Sequence, residues 1–264
     1  KGDEQIWEVL VNSSKKDKIP SHIILNKGFE AEIIGSSFEE VYLARFSWGK
    51  DFFSTLEEIG EVPLPPYIKR ENNGEAEKFD RKRYQSIFAK IPGAVAAPTA
   101  SLHFSQGLIR SLKEMGIAIV TITLHVSWGT FQPLRSEVVE EHRIHPEFFQ
   151  IKRDAAKKIN QAKEKGNRLF AVGTTVVRAL ESAAKYNGKV EAKKGLTSLY
   201  IYPGYKFKCV ENLITNFHLP KSSLFLLVSA FLGKDFTLKI YKEAVRENYY
   251  FYSYGDGMLI TDGI

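Results

Sequence analysis

The sequence predicts an α/β domain with a mixed, substantially parallel sheet, preceded by a strand-rich segment that is part of a β-barrel or a sandwich. Its 264 residues suit one large domain or two modest ones. Up to about Phe53 the chain shows short strand-like runs separated by turn residues, which is typical of all-β units. In the second part strand-like and helix-like runs alternate, which is typical of parallel sheets.

The elements of the strand-rich segment are short. Strands are expected over residues 6–11, 21–25, 29–34 and 41–46. A helix is predicted over residues 52–59, ending at Gly60. Residues 62–67 are predicted to be an extended connector, because their prolines lack the backbone donor that helices and sheets use. The polar residues 70–83 are predicted to be a mobile, exposed loop.

The second part carries the alternation on which the fold class depends. Helices are predicted over residues 108–115, 154–165, 175–184, 222–232 and 237–246. Strands are predicted over residues 117–124, 169–172, 199–202, 213–215 and 258–261. The helix over residues 222–232 is apolar on nearly all sides, which indicates that it is buried.

Composition and charge narrow the functional classes. Lys and Arg total 37 against 31 Asp and Glu, and the net charge of +6 favours a polyanionic partner, although such a charge is also common among enzymes. The single cysteine, Cys209, excludes an intramolecular disulfide and a Cys-rich zinc site and fits a reducing cytoplasm. The longest apolar run, residues 224–232, is shorter than the roughly 20 residues that cross a bilayer. We therefore expect a cytoplasmic protein that is not attached to a membrane.

The clearest local signal is Gly173-Thr174-Thr175, which follows a buried strand and opens a helix that contains Arg178. Such a turn offers unpaired backbone N–H groups and two hydroxyls to a phosphate, a carboxylate or a ribose. The alternative is that Thr174 or Thr175 merely caps the helix.

Three histidines lie at the edges of predicted strands or in loops, beside glycine, proline or hydroxyl residues: His103, His125 and His218. Imidazole transfers protons near neutral pH, so each is a candidate acid or base. The alternative for each is a hydrogen-bonded structural histidine. The pair His142 and His145, with Glu147, has a spacing that metal ligands use, but Pro146 breaks the helix that would hold them, so no metal site is predicted.

Two further groups of residues fit contact with nucleic acid. Basic residues follow one predicted helix and its exit: Lys152, Arg153, Lys157, Lys158, Lys163, Lys165 and Arg168. They form either a solvated helix face or a track for phosphates. Aromatic residues near the C-terminus offer faces for bases or belong to the core: Tyr249, Tyr250, Phe251, Tyr252 and Tyr254.

Six segments of the chain share a further feature: residues 92–104, 125–133, 171–178, 202–205, 215–222 and 251–256. Together they resemble the S-adenosylmethionine:tRNA ribosyltransferase-isomerases of queuosine biosynthesis, in the family's order and at about its spacing. The chain departs from the family at Ser101 and at Ser127-Trp128, where the family has Gly and Gly-Ala. The family's N-terminal Arg-Asp-x-Ser-Arg stretch is absent, and the chain starts without Met. We therefore expect a further N-terminal portion before Lys1.

The resemblance implies an α/β domain into which a β-barrel domain is inserted. Residues 1–62 would be part of the barrel, and residues 63–264 the α/β catalytic domain without its N-terminal portion. It also implies transfer of the ribosyl portion of S-adenosylmethionine to 7-aminomethyl-7-deazaguanine at the wobble position of tRNA, giving epoxyqueuosine, adenine and methionine. S-adenosylmethionine is then a consumed substrate, no metal or redox cofactor takes part, and a monomer is expected. The alternatives are a non-catalytic tRNA-binding protein and a phosphate-handling hydrolase.

The matched motifs imply roles for individual residues. His103, His125 and His218 are candidates for proton transfer, and Arg178 with the Gly173 turn is a candidate for the methionine carboxylate or a tRNA phosphate. Asn216 and Asp256 are candidates for ribose hydroxyls or base edges. The remaining predicted substrate contacts are Pro98, Thr99, Gly129, Thr130, Thr174, Thr175 and Tyr202. We expect His103, Arg178 and His218 to line one dry cleft.

Overall fold

The computed structural model describes residues 5–11, 19–25, 28–38, 41–47, 51–70, 74–127, 129, 134 and 136–261. The chain divides into two units, Lys1–Val62 and Pro63–Ile264.

The first unit is a four-stranded antiparallel sheet followed by a helix. Its elements are β1 (Gln5–Leu10), β2 (His22–Ile24), β3 (Glu30–Phe38), β4 (Val41–Ser47) and α1 (Phe52–Ile59). The strand order is β1-β4-β3-β2. The four predicted strands and the helix are therefore confirmed. The described strands do not close into a barrel, so the inserted β-barrel domain stays a prediction.

Aromatic side chains form the core of this unit. Phe29 and Phe52 are buried. The Phe52 ring stacks on Trp7 with centroids 5.2 Å apart and lies 5.5 Å from the Phe29 ring. Helix α1 begins where it does because the Asp51 carboxylate accepts a hydrogen bond from the Ser54 backbone at 2.9 Å. Hydrogen bonds from Ser54 also lower the pKa of Asp51.

The second unit contains two three-stranded sheets. One has the order β5-β6-β8 and is antiparallel, with β5 (Thr123–His125), β6 (Glu147–Ile151) and β8 (Lys193–Thr197). The other has the order β10-β9-β7, with β7 (Phe170–Val172), β9 (Asn212–Asn216) and β10 (Gly257–Ile260). Strands β7 and β9 run parallel, and β10 is antiparallel to β9.

The prediction of mixed strands and helices is confirmed, but the prediction of a largely parallel sheet is wrong for the described residues. Only one described pair, β7 with β9, is parallel. The alternation of strands and helices misleads because successive strands belong to different sheets. The chain passes from β6 in one sheet to β7 in the other and then returns to β8.

The second unit also contains the remaining helices. They are α2 (Gly74–Arg83), α3 (Gln106–Glu114), α4 (Arg153–Glu164), α5 (Thr174–Ala183), α6 (Ser223–Leu232) and α7 (Lys234–Arg246), with 3-10 helices at Thr99–His103 and Val139–Glu141. All five helices predicted for this part are confirmed. Among the helices that the structure describes, none has the length and apolar character of a membrane span.

Two predicted strands differ from the structure. Of residues 117–124 only the last two belong to a strand, β5, and residues 199–202 belong to none of the described strands. The strand in that region is β8, directly before them. The Leu199 carbonyl accepts a hydrogen bond from the Arg178 side chain at 2.9 Å. In a sheet, the backbone N–H of a neighbouring strand would donate this hydrogen bond.

The prediction of a mobile loop over residues 70–83 is wrong for residues 74–83, while residues 71–73 lie outside the described residues. Residues 74–83 form α2, and Asp80 is only 2% exposed. Its carboxylate accepts two hydrogen bonds from Arg70, at 2.8 and 3.0 Å, and one from the Tyr254 hydroxyl at 2.8 Å. The Arg70 hydrogen bonds hold the pKa of Asp80 below its usual value. Local composition could not predict this arrangement, because Tyr254 lies far from Asp80 in the sequence.

A buried carboxylate fixes the segment that leads into β9. Glu181, on α5, is fully buried and accepts hydrogen bonds from the backbone N–H groups of Lys208, Cys209 and Val210 at 2.8–3.0 Å. Cys209 is a free, buried cysteine, and burial raises the pKa of its thiol. This arrangement holds β9, which carries the residues of the candidate site.

Candidate active site

The parallel pair β7 and β9 creates the edge at which the site lies. Val172 of β7 lies opposite Ile214 of β9, so the two carboxyl ends meet at the same edge of the sheet. The backbone N–H of Gly173 donates to the Ile214 carbonyl at 2.8 Å, and α5 begins at the next residue. Gly173 has φ of +101°, which favours glycine. The N-terminus of α5 therefore lies at the edge where α/β proteins bind ligands.

The N-cap of α5 is Gly173, and no side chain caps the helix. The alternative that Thr174 or Thr175 merely caps α5 is therefore wrong. Both threonines are buried in the first turn of the helix.

The 3-10 helix Thr99–His103 packs against β9 at this edge. The Thr99 hydroxyl donates to Oδ1 of Asn216 at 3.3 Å, and Nε2 of His103 lies 3.1 Å from Nδ2 of Asn216. The Pro98 carbonyl accepts hydrogen bonds from the Ser101 backbone at 2.9 Å and its hydroxyl at 2.6 Å, which starts the 3-10 helix. The structure thus brings together three residues predicted separately: Thr99, His103 and Asn216.

The loop before β10 completes this cluster. Asn216 donates to the Tyr252 carbonyl at 3.1 Å, and the Phe217 backbone donates to the Asp256 carbonyl at 3.4 Å. A Cβ added to Gly257 would lie 3.1 Å from Nε2 of His103, so the backbone passes close to the ring. Burial lowers the pKa of His103, and the negative charge of Asp256 opposes this shift. We call Thr99, His103, Gly173, Asn216 and Asp256 the β7/β9 cluster.

Arg178 lies in different surroundings. It is 4% exposed and pairs with the Glu147 carboxylate, and it also donates to the carbonyls of Leu199 at 2.9 Å and Thr197 at 3.3 Å. Burial lowers the pKa of Arg178, and the Glu147 charge opposes this effect. The other oxygen of Glu147 accepts from the Ser127 backbone at 3.1 Å. Most of the guanidinium's donors are therefore engaged within the protein.

Arg178 nevertheless borders a small cleft. The other lining residues are Gly129, Ile144, His145, Ile201, Ser223, Leu224 and Leu227. A Cβ added to Gly129 would overlap the His145 ring, so the two lie in close contact. Tyr202 follows Ile201, and its ring lies 5.1 Å from that of Tyr200. The predicted contact Thr130 lies outside the described residues.

His125, at the end of β5, lies beside Thr175 in a second cleft that Glu147 and Thr197 also line. Its ring packs against Gly93, where an added Cβ would lie 2.8 Å from Cε1, and lies 5.0 Å from the Phe148 ring. Nε2 of His125 is buried and has no hydrogen-bond partner among the described residues. The role of His125 in proton transfer stays a prediction, and Nε2 is the ring nitrogen that would perform it.

His218 does not join the β7/β9 cluster. Its Nε2 lies 2.8 Å from the Thr215 hydroxyl, and its backbone N–H donates to the Tyr241 hydroxyl at 3.0 Å. Thr215 and Asn216 point to opposite faces of β9, so His218 and His103 lie on opposite sides of the sheet. The ring is 8% exposed, and burial lowers the pKa of His218 to about 3.

The expectation of one cleft shared by His103, Arg178 and His218 is therefore wrong. The buried, hydrogen-bonded surroundings of His218 favour the alternative of a structural histidine. Sequence reasoning also missed Glu147 as the partner of Arg178, since its spacing from His142 and His145 suggested only a metal site. Among the described residues no group of three His, Cys, Asp or Glu side chains is placed to hold a metal ion.

The fold and this cluster define a mixed α/β protein with a candidate site at the carboxyl ends of its two parallel strands. The chain belongs to the family described as queuosine biosynthesis protein, which matches residues 2–260. The S-adenosylmethionine:tRNA ribosyltransferase-isomerase of Halothermothrix orenii is 46% identical over 258 residues, covering 97% of this chain and 74% of the relative. That of Lachnoclostridium phytofermentans is 45% identical, covering 99% of this chain and 70% of the relative.

A solved structure is also similar. The crystal structure of the S-adenosylmethionine tRNA ribosyltransferase from Thermotoga maritima is 28% identical and has a TM-score of 0.50, covering 97% of this chain and 74% of that one. These matches confirm the family resemblance drawn from the sequence motifs, and with it the prediction that the chain is an enzyme.

Proposed function

We propose that the chain transfers and isomerises the ribosyl portion of S-adenosylmethionine onto 7-aminomethyl-7-deazaguanine at the wobble position of tRNA. The products are epoxyqueuosine in the tRNA, adenine and methionine. The observation that carries this proposal is the 45–46% identity to relatives of that name over 97–99% of the chain. The β7/β9 cluster supports it, because it gathers residues of four of the matched segments at one edge.

The proposed chemistry begins at the sulfonium of S-adenosylmethionine, which makes the C5′ hydrogens acidic. A base removes one of them, the electron pair at C5′ breaks the C4′–O4′ bond, and O4′ then forms a carbonyl at C1′ as adenine leaves and takes a proton. The aminomethyl nitrogen adds to C4′ and loses a proton, C5′ closes onto C1′, and the resulting C1′ alkoxide displaces the methionine sulfur from C5′ to form the epoxide. The protein must supply a base, a proton for adenine, alignment and exclusion of water. S-adenosylmethionine is consumed in this scheme.

The residues take roles according to where they lie. His103 faces the substrate from the β7/β9 cluster, and Asp256 is the acceptor for ribose hydroxyls or a base edge. The N-terminus of α5, with Thr174 and Thr175, receives the methionine carboxylate, because backbone N–H groups and the helix dipole favour an anion there. His125, beside Thr175, is the candidate for proton transfer from the other side.

Surface residues supply the proposed contact with tRNA. The exposed basic residues of α4 and its flanks are Lys152, Arg153, Lys157, Lys158, Lys165 and Arg168. Lys163 is excluded from this surface, because its Nζ donates to the Cys209 carbonyl at 2.6 Å. Tyr250 is 76% exposed, so its ring can stack on a base. The next residue, Phe251, instead packs against the Phe217 ring, with the centroids 5.1 Å apart. We further propose that the protein acts as a cytoplasmic monomer.

Adenine release from S-adenosylmethionine tests this function. The protein is incubated with tRNA that carries 7-aminomethyl-7-deazaguanine at the wobble position, and adenine is measured by chromatography. We expect one adenine and one methionine per epoxyqueuosine formed. Matched tRNA with guanine at that position is the control and is expected to give none. Binding of both tRNAs without adenine release would instead support a non-catalytic tRNA-binding protein.

A further inference from the structure

We infer that Asn216 is a positioning residue that holds His103 as a neutral imidazole with its proton on Nδ1. The inference deepens the proposed function, because it assigns what His103 presents to the substrate. It uses only the contacts of the folded chain and requires no substrate to be bound.

The orientation of the Asn216 amide is determined by its neighbours. The Tyr252 carbonyl can only accept a hydrogen bond, so the amide atom 3.1 Å from it must be the nitrogen, Nδ2. The amide oxygen then faces the Thr99 hydroxyl, which donates to it at 3.3 Å. Asn216 is only 1% exposed, so its amide group contacts these partners and His103 and not solvent.

The orientation of the amide determines the state of the imidazole. Nδ2 of Asn216 is a donor, and it lies 3.1 Å from Nε2 of His103. Nε2 must therefore accept and carry no proton, which leaves the proton of the neutral ring on Nδ1. Protonation of Nε2 would bring two donors face to face, so the Asn216 amide disfavours the imidazolium.

The Tyr252 carbonyl is held in place by the rest of the molecule. Tyr252 has φ of +73°, a conformation that non-glycine residues rarely adopt, and its N–H donates to the Phe217 carbonyl at 2.9 Å. The next residue, Ser253, is buried between the hydroxyls of Tyr67 at 2.6 Å and Tyr84 at 3.0 Å. The Tyr252 carbonyl that orients Asn216 therefore belongs to a strained stretch of backbone. Tyr67 and Tyr84, from outside the loop, hold that stretch through Ser253.

This state limits what His103 can do. Nε2 cannot act as the C5′ base while it accepts from Asn216. The described hydrogen bond of the ring is at Nε2 and leaves Nδ1 for another partner, and His103 is exposed. His103 therefore offers an N–H donor, aimed at charge that develops on the substrate, and a different group removes the C5′ proton.

Long-range ¹H–¹⁵N NMR spectra of the free, ¹⁵N-labelled protein test this inference. These spectra distinguish a protonated ring nitrogen from an unprotonated one, and the His103→Gln variant identifies the His103 signals. At a pH at which the ring is neutral, we expect a protonated Nδ1 and an unprotonated Nε2. A protonated Nε2 in the wild-type protein would overturn the inference, whatever the variants do.

Variants of two buried asparagines on β9 provide the matched comparison. Asn216→Ala is expected to give signals from both tautomers, and Asn216→Asp is expected to move the proton to Nε2 and raise the pKa of His103. In the wild-type protein the charged group that acts on the ring is Asp256, and Asn216→Asp adds a second one. Asn212→Ala is the control, because Asn212 is equally buried but donates to the Leu169 carbonyl at 3.1 Å.

An unchanged His103 tautomer in a folded Asn216→Ala protein, or the same change in Asn212→Ala, would contradict a positioning role. Because the spectra contain no substrate, their outcome is independent of adenine release. Loss of the tautomer preference and failure of the proposed function are therefore separate results.

Discussion

Arg178→Met is expected to lower the free energy of unfolding by about 3–5 kcal/mol, because it breaks a buried ion pair. Arg178 ties three strands or segments to α5: Glu147 at the start of β6, Thr197 at the end of β8, and Leu199. Without the guanidinium, the buried Glu147 carboxylate loses the charge that compensates its desolvation. The change is measured by denaturant unfolding.

Arg246→Met is the matched control for this experiment. Arg246 also pairs with glutamates, Glu243 and Glu247, but its side chain is 69% exposed. Exposed pairs contribute about 0–1 kcal/mol, so this variant is expected to unfold close to wild type. A similar, small effect of both substitutions would show that the Arg178 pair does not hold the second unit together.

His103→Ala is expected to lower kcat for adenine release by about 10²–10³-fold, because it removes a donor aimed at the reacting substrate. Its unfolding free energy is expected to fall by only about 1 kcal/mol, since the ring is partly exposed and makes one described hydrogen bond. Turnover and denaturant unfolding are measured on the same preparation.

His218→Ala is expected to show the opposite pattern. Its ring is buried and bonded to Thr215, so truncation leaves a cavity and a lost hydrogen bond, at a cost of about 2–4 kcal/mol in unfolding free energy. Turnover per folded molecule is expected to stay close to wild type. If His218→Ala lost turnover without loss of stability, or His103→Ala kept full turnover, the assignment of the two histidines would be wrong.

Elements whose stability is local were predictable from the sequence. Helix α1 is one example, since the Asp51 cap and the apolar residues that follow lie within one short segment. Elements that depend on distant partners were not. Helix α2 reads as a polar loop, because the partner of Asp80 includes Tyr254 from the far end of the chain. The order of the strands in the sheets was not predictable for the same reason, because strands that are distant in the sequence pair with each other.

The site was predictable in part. Local composition singled out His103, the matched motifs added Thr99 and Asn216, and the structure joins the three by hydrogen bonds. The same reasoning could not separate His103 from His218, because both follow short polar runs near strands. What separates them is the face of β9 on which each lies, and that depends on the register of a single strand.

A structure of the protein with S-adenosylmethionine bound tests the central claim most directly. The account predicts that the ligand lies at the carboxyl ends of β7 and β9, with its carboxylate at the N-terminus of α5 and a ligand atom within hydrogen-bond distance of Nδ1 of His103. A ligand bound elsewhere on the second unit, without contact to His103 or to the first turn of α5, would contradict it.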